Sequence, residues 1–167
     1  MAKQVLILMG SDSDFDQVSP AVDVLRELGV SVEVAVASAH RSPERVVALA
    51  RHARESGVGV IIAAAGGAAH LAGVVAAHTT LPVVALPVGN GTLGGIDALL
   101  SSVQMPPGVP IAAVGIGAGR NAGLFAAQIL GTDDALVASR LSDFRVAQTA
   151  KVVEGNARVQ AKLASRT

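Results

Sequence analysis

Residues 4–28, QVLILMGSDSDFDQVSPAVDVLREL, contain an apolar run, then a short polar turn, then a segment with helical periodicity. The nearly continuous apolar run at residues 4–9 predicts a strand buried on both faces, as in a parallel sheet. Residues 15–28 predict a helix with one apolar face, because apolar side chains recur at three- and four-residue steps. Pro20 lies inside this helix, so we expect it either to kink the helix or to open its main part with Ser19 as cap.

The same strand–helix order repeats along the chain. Further apolar runs predict strands at residues 32–37, 58–64, 83–88 and 111–115. Helical patterns between and after them cover residues 43–55, 69–77, 96–103 and 120–130. This alternation predicts a single-domain α/β fold, with a doubly wound parallel sheet in flavodoxin-like order.

A C-terminal helical extension follows the α/β core of residues 1–131. Residues 132–167 complete the single domain, and a polar helix is predicted over about residues 133–153. Its narrow apolar stripe consists of Val137, Leu141 and Phe144. We expect the basic tail from Gly155 to be mobile or docked on a neighbouring subunit.

Composition restricts the classes of function. Hydrophobic residues make up 51% of the 167 residues and charged residues only 16%, yet no apolar stretch is long enough to span a bilayer. We therefore expect a homo-oligomer that buries apolar surface between subunits. Thirteen basic residues balance thirteen acidic ones, which argues against nucleic-acid binding, and the absence of cysteine excludes thiol chemistry. The N-terminus lacks the long apolar core of a signal peptide, so a cytoplasmic location is expected.

Polar residues cluster in the loops after the first three predicted strands. These loops are residues 10–14, 38–42 and 65–70. Ligands of such sheets bind beyond the carboxyl ends of the strands, near the point where strand order reverses. The three loops should therefore lie on one rim and form the ligand site.

The first two loops offer groups for a phosphorylated sugar. The hydroxyls and carboxylate of residues 11–14 can bond sugar hydroxyls, although an ordinary capped turn explains them as well. In the second loop, Arg41 suits a phosphate, which the following helix N-terminus also favours. The same cation disfavours a charged imidazole, so His40 should be neutral and able to exchange protons.

The third loop is small enough for a ligand to touch its backbone. His70 either orients a substrate group or caps the helix that it begins, whereas His52 and His78 are interpreted as structural. Asp14, His40 and His70 match no compact ligand motif, so no metal is expected.

Residues 117–122, GAGRNA, match the glycine fingerprint of dinucleotide-binding proteins. That fingerprint requires an acidic residue at the end of a following strand, but Asp133 and Asp134 open a helix instead. We interpret the glycines as allowing close packing and expect no nicotinamide cofactor.

Five segments occur in a characteristic order: residues 9–14 (MGSDSD), 38–43 (SAHRSP), 65–71 (AGGAAHL), 99–106 (LLSSVQMP) and 121–130 (NAGLFAAQIL). Together they resemble the family of mutases and carboxylases that make carboxyaminoimidazole ribonucleotide, the PurE family. The resemblance runs from about Val5 to Thr149, and the third segment resembles the mutase class.

The resemblance implies an isomerase of de novo purine biosynthesis, without metal or organic cofactor. It would convert N5-carboxyaminoimidazole ribonucleotide to 4-carboxy-5-aminoimidazole ribonucleotide by decarboxylation and recarboxylation, in a closed apolar pocket that retains CO2. His40 would move the proton, and His70 would line the carboxylate and CO2 pocket with Gly66 and Gly67. The other residues expected to bind the substrate are Ser11, Ser13, Asp14, Ser38, Ala39, Arg41, Ala68 and Leu71. Members of the family are octamers, so the same is expected here.

Three other functions are compatible with the sequence. A carboxylase of the same family would use CO2 directly, and a flavodoxin-like binding module would carry out no chemistry. A catalytically idle paralogue is a third possibility, because Ala98 stands where the family usually has serine. Residue 98 ends the segment 89–98, which is expected to cover the site.

Overall fold

The computed structural model describes residues 3–166 as an α/β sandwich. The strands are β1 (Gln4–Met9), β2 (Val32–Val36), β3 (Val58–Gly66), β4 (Val83–Val88) and β5 (Ala112–Ala113). The helices are α1 (Phe15–Glu27), α2 (Pro43–His52), α3 (Leu71–Ala77), α4 (Ile96–Val103), α5 (Gly119–Gly131) and α6 (Ala135–Ala164). All strands pair in parallel in the order β2-β1-β3-β4-β5, which confirms the predicted flavodoxin-like order.

Both faces of the sheet are covered, which explains the continuous apolar strands. In β1, Val5 and Ile7 pack with α1 and α5 on one face. Leu6 and Leu8 pack with α2 and α3 on the other. Because alternate side chains enter two separate cores, neither face of the central strands tolerates polar residues.

Several elements are shorter than their patterns predict. Strand β5 contains only Ala112–Ala113, since it lies at the sheet edge and pairs with β4 alone. Helix α2 ends at His52, because a turn follows in which Gly57 adopts a φ of 83°. Helix α3 starts at Leu71, two residues after the predicted start.

Helix α1 runs through Pro20 without being opened by it. Proline has no N–H to donate to the carbonyl of Asp16 one turn earlier. The hydroxyl of Ser19 donates to that carbonyl instead, at 3.3 Å. The expectation that Ser19 caps a helix beginning at Pro20 is therefore wrong.

Helix α6 is longer than predicted. Its N-cap, Asp134, accepts hydrogen bonds from the backbone N–H groups of Leu136 and Val137. Val137 is buried, and Leu141 and Phe144 pack against the core as the stripe predicts. The helix then continues to Ala164, so residues 155–164 of the tail are helical, and the side chains of this stretch are exposed in the single chain. No helix within residues 3–166 has the length and apolar character needed to cross a membrane.

Glycines bring α5 into close contact with α1. A Cβ atom on Gly119 would overlap the carbonyl oxygen of Gln17. A Cβ on Gly123, one turn later, would lie 2.8 Å from the carbonyl oxygen of Ala21. Of the two glycines in the fingerprint-like segment, Gly119 therefore serves helix packing, as the sequence predicts, whereas Gly117 adopts a φ of 65° in the turn before α5.

We expect Gly123→Ala to destabilise the fold by about 1–3 kcal/mol, because the new methyl meets backbone that cannot move aside. Unfolding in urea at one fixed protein concentration measures the loss. Gly155→Ala is the matched control, since its Cβ would meet only the Arg158 side chain at 3.7 Å. That change should be neutral or stabilising by up to about 1 kcal/mol. Equal stability of the two variants would contradict the close α1–α5 packing.

Candidate active site

Four loops at the carboxyl ends of the strands surround a cavity of about 270 Å³. The loops follow β2, β1, β3 and β4, which are consecutive neighbours in the sheet. The lining residues are Gly10, Ser11, Ser13, Asp14, Ser38, Ala39, His40, Arg41, Ala65, Gly66, Ala68, His70, Leu71 and Asn90.

The structure brings together all but one of the residues predicted for the site. Gly67 is absent from the lining; its φ of 60° shapes the turn after β3 instead. Asn90 lines the cavity; it belongs to the segment 89–98 expected to cover the site, but it was not among the predicted site residues. Its position two residues after the end of β4, on the same rim as the other loops, could have identified it.

The cavity is more open than a closed apolar pocket. His40 and His70 are both exposed in the single chain, and Asn90 is the only lining residue from the segment 89–98. The expectation that this segment covers the site therefore does not hold within one described chain. Ala98 is fully buried in α4 and does not line the cavity, so the loss of a serine there removes no hydroxyl from the lining.

The first loop is a capped turn that also faces the cavity. The hydroxyl of Ser11 accepts from the N–H of Ser13 at 3.4 Å, and the N–H of Ser11 donates to Asp14 Oδ2 at 3.2 Å. The Ser11 and Ser13 hydroxyl oxygens are 2.8 Å apart. The two interpretations of this loop are thus compatible, since the bonds that cap the turn also hold its polar groups at the cavity.

Asp14 is buried, with 4% of its surface exposed. Burial raises the pKa of its carboxyl above the ordinary value of 3.8. The hydrogen bond from the Ser11 N–H and the charge of Arg41 oppose that increase, and the nearby Asp12 adds to it. The carboxylate is therefore costly to keep charged when the cavity holds no ligand.

Arg41 connects the second loop to the first. Its Nη2 donates to the carbonyl oxygen of Gly10 at 2.7 Å, and its backbone N–H donates to the Ser38 hydroxyl at 3.2 Å. Ser42 accepts from the N–H of Ser38 at 3.0 Å and braces the same turn. A guanidinium carries five N–H donors, so these bonds leave others for an anion.

The two histidines of the rim are in direct contact. His40 Nε2 lies 2.8 Å from His70 Nδ1, and the rings meet edge to face at 82°. One of these nitrogens must carry a proton and the other must be bare, so the two rings form an acid–base pair. His70 is at the N-cap position of α3, but its side chain makes no capping hydrogen bond. The capping interpretation of His70 is therefore wrong.

The remaining histidines lie away from this cavity. His52 Nδ1 contacts the Ala48 carbonyl oxygen at 2.8 Å, and His78 ends α3. His78 lines a wider depression of about 450 Å³ with Arg51 and Arg54. That depression lies at the carboxyl ends of α2 and α3, not at the carboxyl ends of the strands. Residues 3–166 contain no cluster of His, Asp or Glu arranged to hold a metal ion.

Comparison with known proteins gives consistent matches over most of the chain. A sequence model of the AIR carboxylase family matches residues 4–151. The N5-carboxyaminoimidazole ribonucleotide mutase of Thermotoga maritima is 45% identical over 157 residues, which cover 94% of this chain and 92% of that protein. The mutase of the same name from Aquifex aeolicus is 53% identical over 130 residues, 78% of each chain.

Solved structures show the same fold. The crystal structure of Treponema denticola PurE has a TM-score of 0.83 and 27% sequence identity, covering 93% of this chain and 98% of that one. A variant of Treponema denticola PurE2 has a TM-score of 0.85 at the same identity, covering 95% and 98%.

The raised pKa of Asp14 has a consequence for stability. A carboxyl whose pKa is higher in the folded state stabilises the fold when protonated, and that contribution is lost as the pH rises through the folded pKa. Asp14→Asn should therefore raise the melting temperature at about pH 8, and the gain should shrink towards zero as the pH falls to 3.8.

Thermal unfolding across this pH range measures the effect. Asp12→Asn is the matched control, since it neutralises an exposed carboxylate on the same turn. A gain for Asp14→Asn that does not vary with pH, or an equal gain for Asp12→Asn, would contradict the role of burial.

Proposed function

The chain belongs to the AIR carboxylase family, and we propose that it is an N5-carboxyaminoimidazole ribonucleotide mutase, an isomerase of de novo purine biosynthesis. The enzyme moves a carboxylate from the exocyclic nitrogen of an aminoimidazole ribonucleotide to the neighbouring ring carbon. The observation that carries this proposal is the contact between His40 and His70 in the cavity that also contains Arg41. A cation for phosphate and an acid–base pair are the two features that the reaction needs.

Arg41 and Ser38 are proposed to bind the 5′-phosphate. The guanidinium is held at the rim through the Gly10 carbonyl, so it is positioned before the ligand arrives. Preorganised cationic donors bind phosphate with little further loss of side-chain entropy. The adjacent backbone of Ala39 borders the same end of the cavity.

Asp14, Ser11 and Ser13 are proposed to bind the ribose. Asp14 is fixed by the Ser11 N–H, and its carboxylate has further acceptor sites for sugar hydroxyls. Donors from a ligand favour the charged carboxylate, so a bound ribose would compensate for part of the cost of burying that charge.

His40 is proposed as the acid–base group. When the N–C bond of the substrate breaks, CO2 leaves and the nitrogen takes a proton from the imidazolium form of His40, which leaves that ring neutral. The ring carbon then attacks CO2, and the proton on that carbon passes to His40, which returns to its starting state. His70 contacts His40 and supports its tautomer. With Gly66, Ala68 and Leu71, His70 would line the space that keeps CO2 beside the ring.

Direct carboxylation by CO2 is the less favoured alternative. The relatives at 45–53% identity carry the mutase name. A non-catalytic binding module has no use for a paired acid and base at its ligand site.

A homo-oligomer is proposed from the exposed apolar surface, and the octamer is proposed from the resemblance to the PurE family. Ile96, Leu100 and Val103 form a stripe along α4, each about half exposed. The outer half of α6 exposes Val152 and Val159 as well. Water contact with such faces is unfavourable, so association of copies would bury them. A phosphorylated substrate does not cross membranes unaided, which favours a cytoplasmic location.

Light scattering should give a mass near eight copies of the 16.7 kDa chain. Leu100→Asp, which places a charge in the α4 stripe, should lower that mass. Asp97→Asn on the same helix should leave it unchanged. A monomeric wild-type protein would contradict the proposed assembly.

The reaction class is tested with wild-type protein and each possible substrate. We expect turnover of N5-carboxyaminoimidazole ribonucleotide in buffer purged of bicarbonate, because the mutase carries its own CO2. Turnover that requires aminoimidazole ribonucleotide and added bicarbonate would instead identify a carboxylase.

His40→Asn should lower turnover by about 10²–10⁴-fold, since the asparagine fills similar space without exchanging a proton. Substrate affinity, measured by calorimetry, should change little. His52→Asn provides the control, because His52 lies outside the cavity. A His40→Asn variant with normal turnover would show that the assigned mechanism is wrong.

A further inference from the structure

Asn90 holds a free amide at the edge of the cavity. It is exposed, and within residues 3–166 its side chain forms no hydrogen bond, although its backbone N–H donates to the Val88 carbonyl at 3.1 Å. A Cβ atom on Gly66 would overlap the Asn90 amide, so the amide lies directly over the Gly66 backbone. The donors of this amide are therefore available to a ligand that touches Gly66.

Hydrogen bonds from α1 hold the backbone next to Asn90 in place. Gln17 on α1 accepts from the N–H of Gly89 at 2.8 Å and donates to its carbonyl oxygen at 3.3 Å. These two bonds fix the residue that precedes Asn90. The end of β3 is also fixed, since Gly66 pairs with Val88 in the sheet. Asn90 is thus attached to anchored backbone although its segment is exposed.

The order of the strands places Asn90 at the end opposite Arg41. Arg41 follows β2 and Asn90 follows β4, with β1 and β3 between them. Adjacent strands lie about 4.8 Å apart, so the two ends are separated by roughly 14 Å. A ribonucleotide with its phosphate at Arg41 and its ribose at Asp14 extends along this rim towards Gly66. The groups farthest from the phosphate are the substituents of the imidazole ring.

We propose that Asn90 binds the migrating carboxylate and thereby distinguishes carboxylated ribonucleotides from the decarboxylated one. The inference rests on the proposed function. The amide N–H groups donate to the carboxylate oxygens while that group is attached to nitrogen or to carbon. No Lys or Arg side chain lines the cavity apart from Arg41, which is assigned to the phosphate. The carboxylate is therefore bound by the neutral amide N–H groups of Asn90.

Calorimetric binding of two nucleotides tests the assignment. Asn90→Asp replaces the donor with a like charge and should weaken 4-carboxy-5-aminoimidazole ribonucleotide at least about tenfold. The affinity for aminoimidazole ribonucleotide, which lacks the carboxylate, should change less than about twofold, and its retention shows that the variant is folded. Asn90→Leu should give a smaller loss for the carboxylated ligand alone.

Thr92→Asp is the matched control, because it adds the same charge to the same exposed segment without lining the cavity. It should leave both affinities unchanged. Equal losses for the two ligands in Asn90→Asp, or the same selective loss in Thr92→Asp, would overturn the role of Asn90 while leaving the mutase proposal intact. A wild-type protein that binds neither nucleotide would overturn the proposed function, and this inference with it.

Discussion

The parallel hydrogen-bonded pairing of β2, β1, β3 and β4 is the constraint on which the site depends. Because these strands run in one direction, the loops after them lie side by side at one edge of the sheet. Residues that are 30 positions apart in the chain, His40 and His70, are thereby brought to 2.8 Å. An antiparallel sheet of the same strands would send alternate loops to opposite edges, and the cavity would not exist.

Helix α1 links the core to the rim of the cavity through one residue. The backbone carbonyl of Gln17 contacts Gly119, where α5 packs closely against α1. The side chain of the same residue holds Gly89 at the start of the segment that bears Asn90. Helix packing and the position of a cavity residue are therefore coupled, since a shift of α1 would move both contacts.

The proposed ribose contact of Asp14 sets stability against binding. A carboxylate that is 4% exposed raises the free energy of the folded state when it is charged, and the backbone N–H of Ser11 offsets only part of that cost. Carboxyl groups with perturbed pKa values cluster at functional sites. The capped turn, the buried acid and the guanidinium of Arg41 thus form one polar unit, placed at the edge of two apolar cores.

By itself the sequence determined the strand and helix alternation, the class of sheet and nearly all of the residues at the rim. These follow from local periodicity and from the rule that the carboxyl ends of parallel strands meet. It also indicated that Gly119, at the start of α5, serves packing. Only the tertiary structure decided that His70 faces His40 rather than capping α3, that Ser19 compensates for Pro20, and that α6 continues through Gly155. Only the tertiary structure placed Asn90 over Gly66. Each of these depends on distances between atoms of particular side chains and backbone, and periodicity carries no information about such distances.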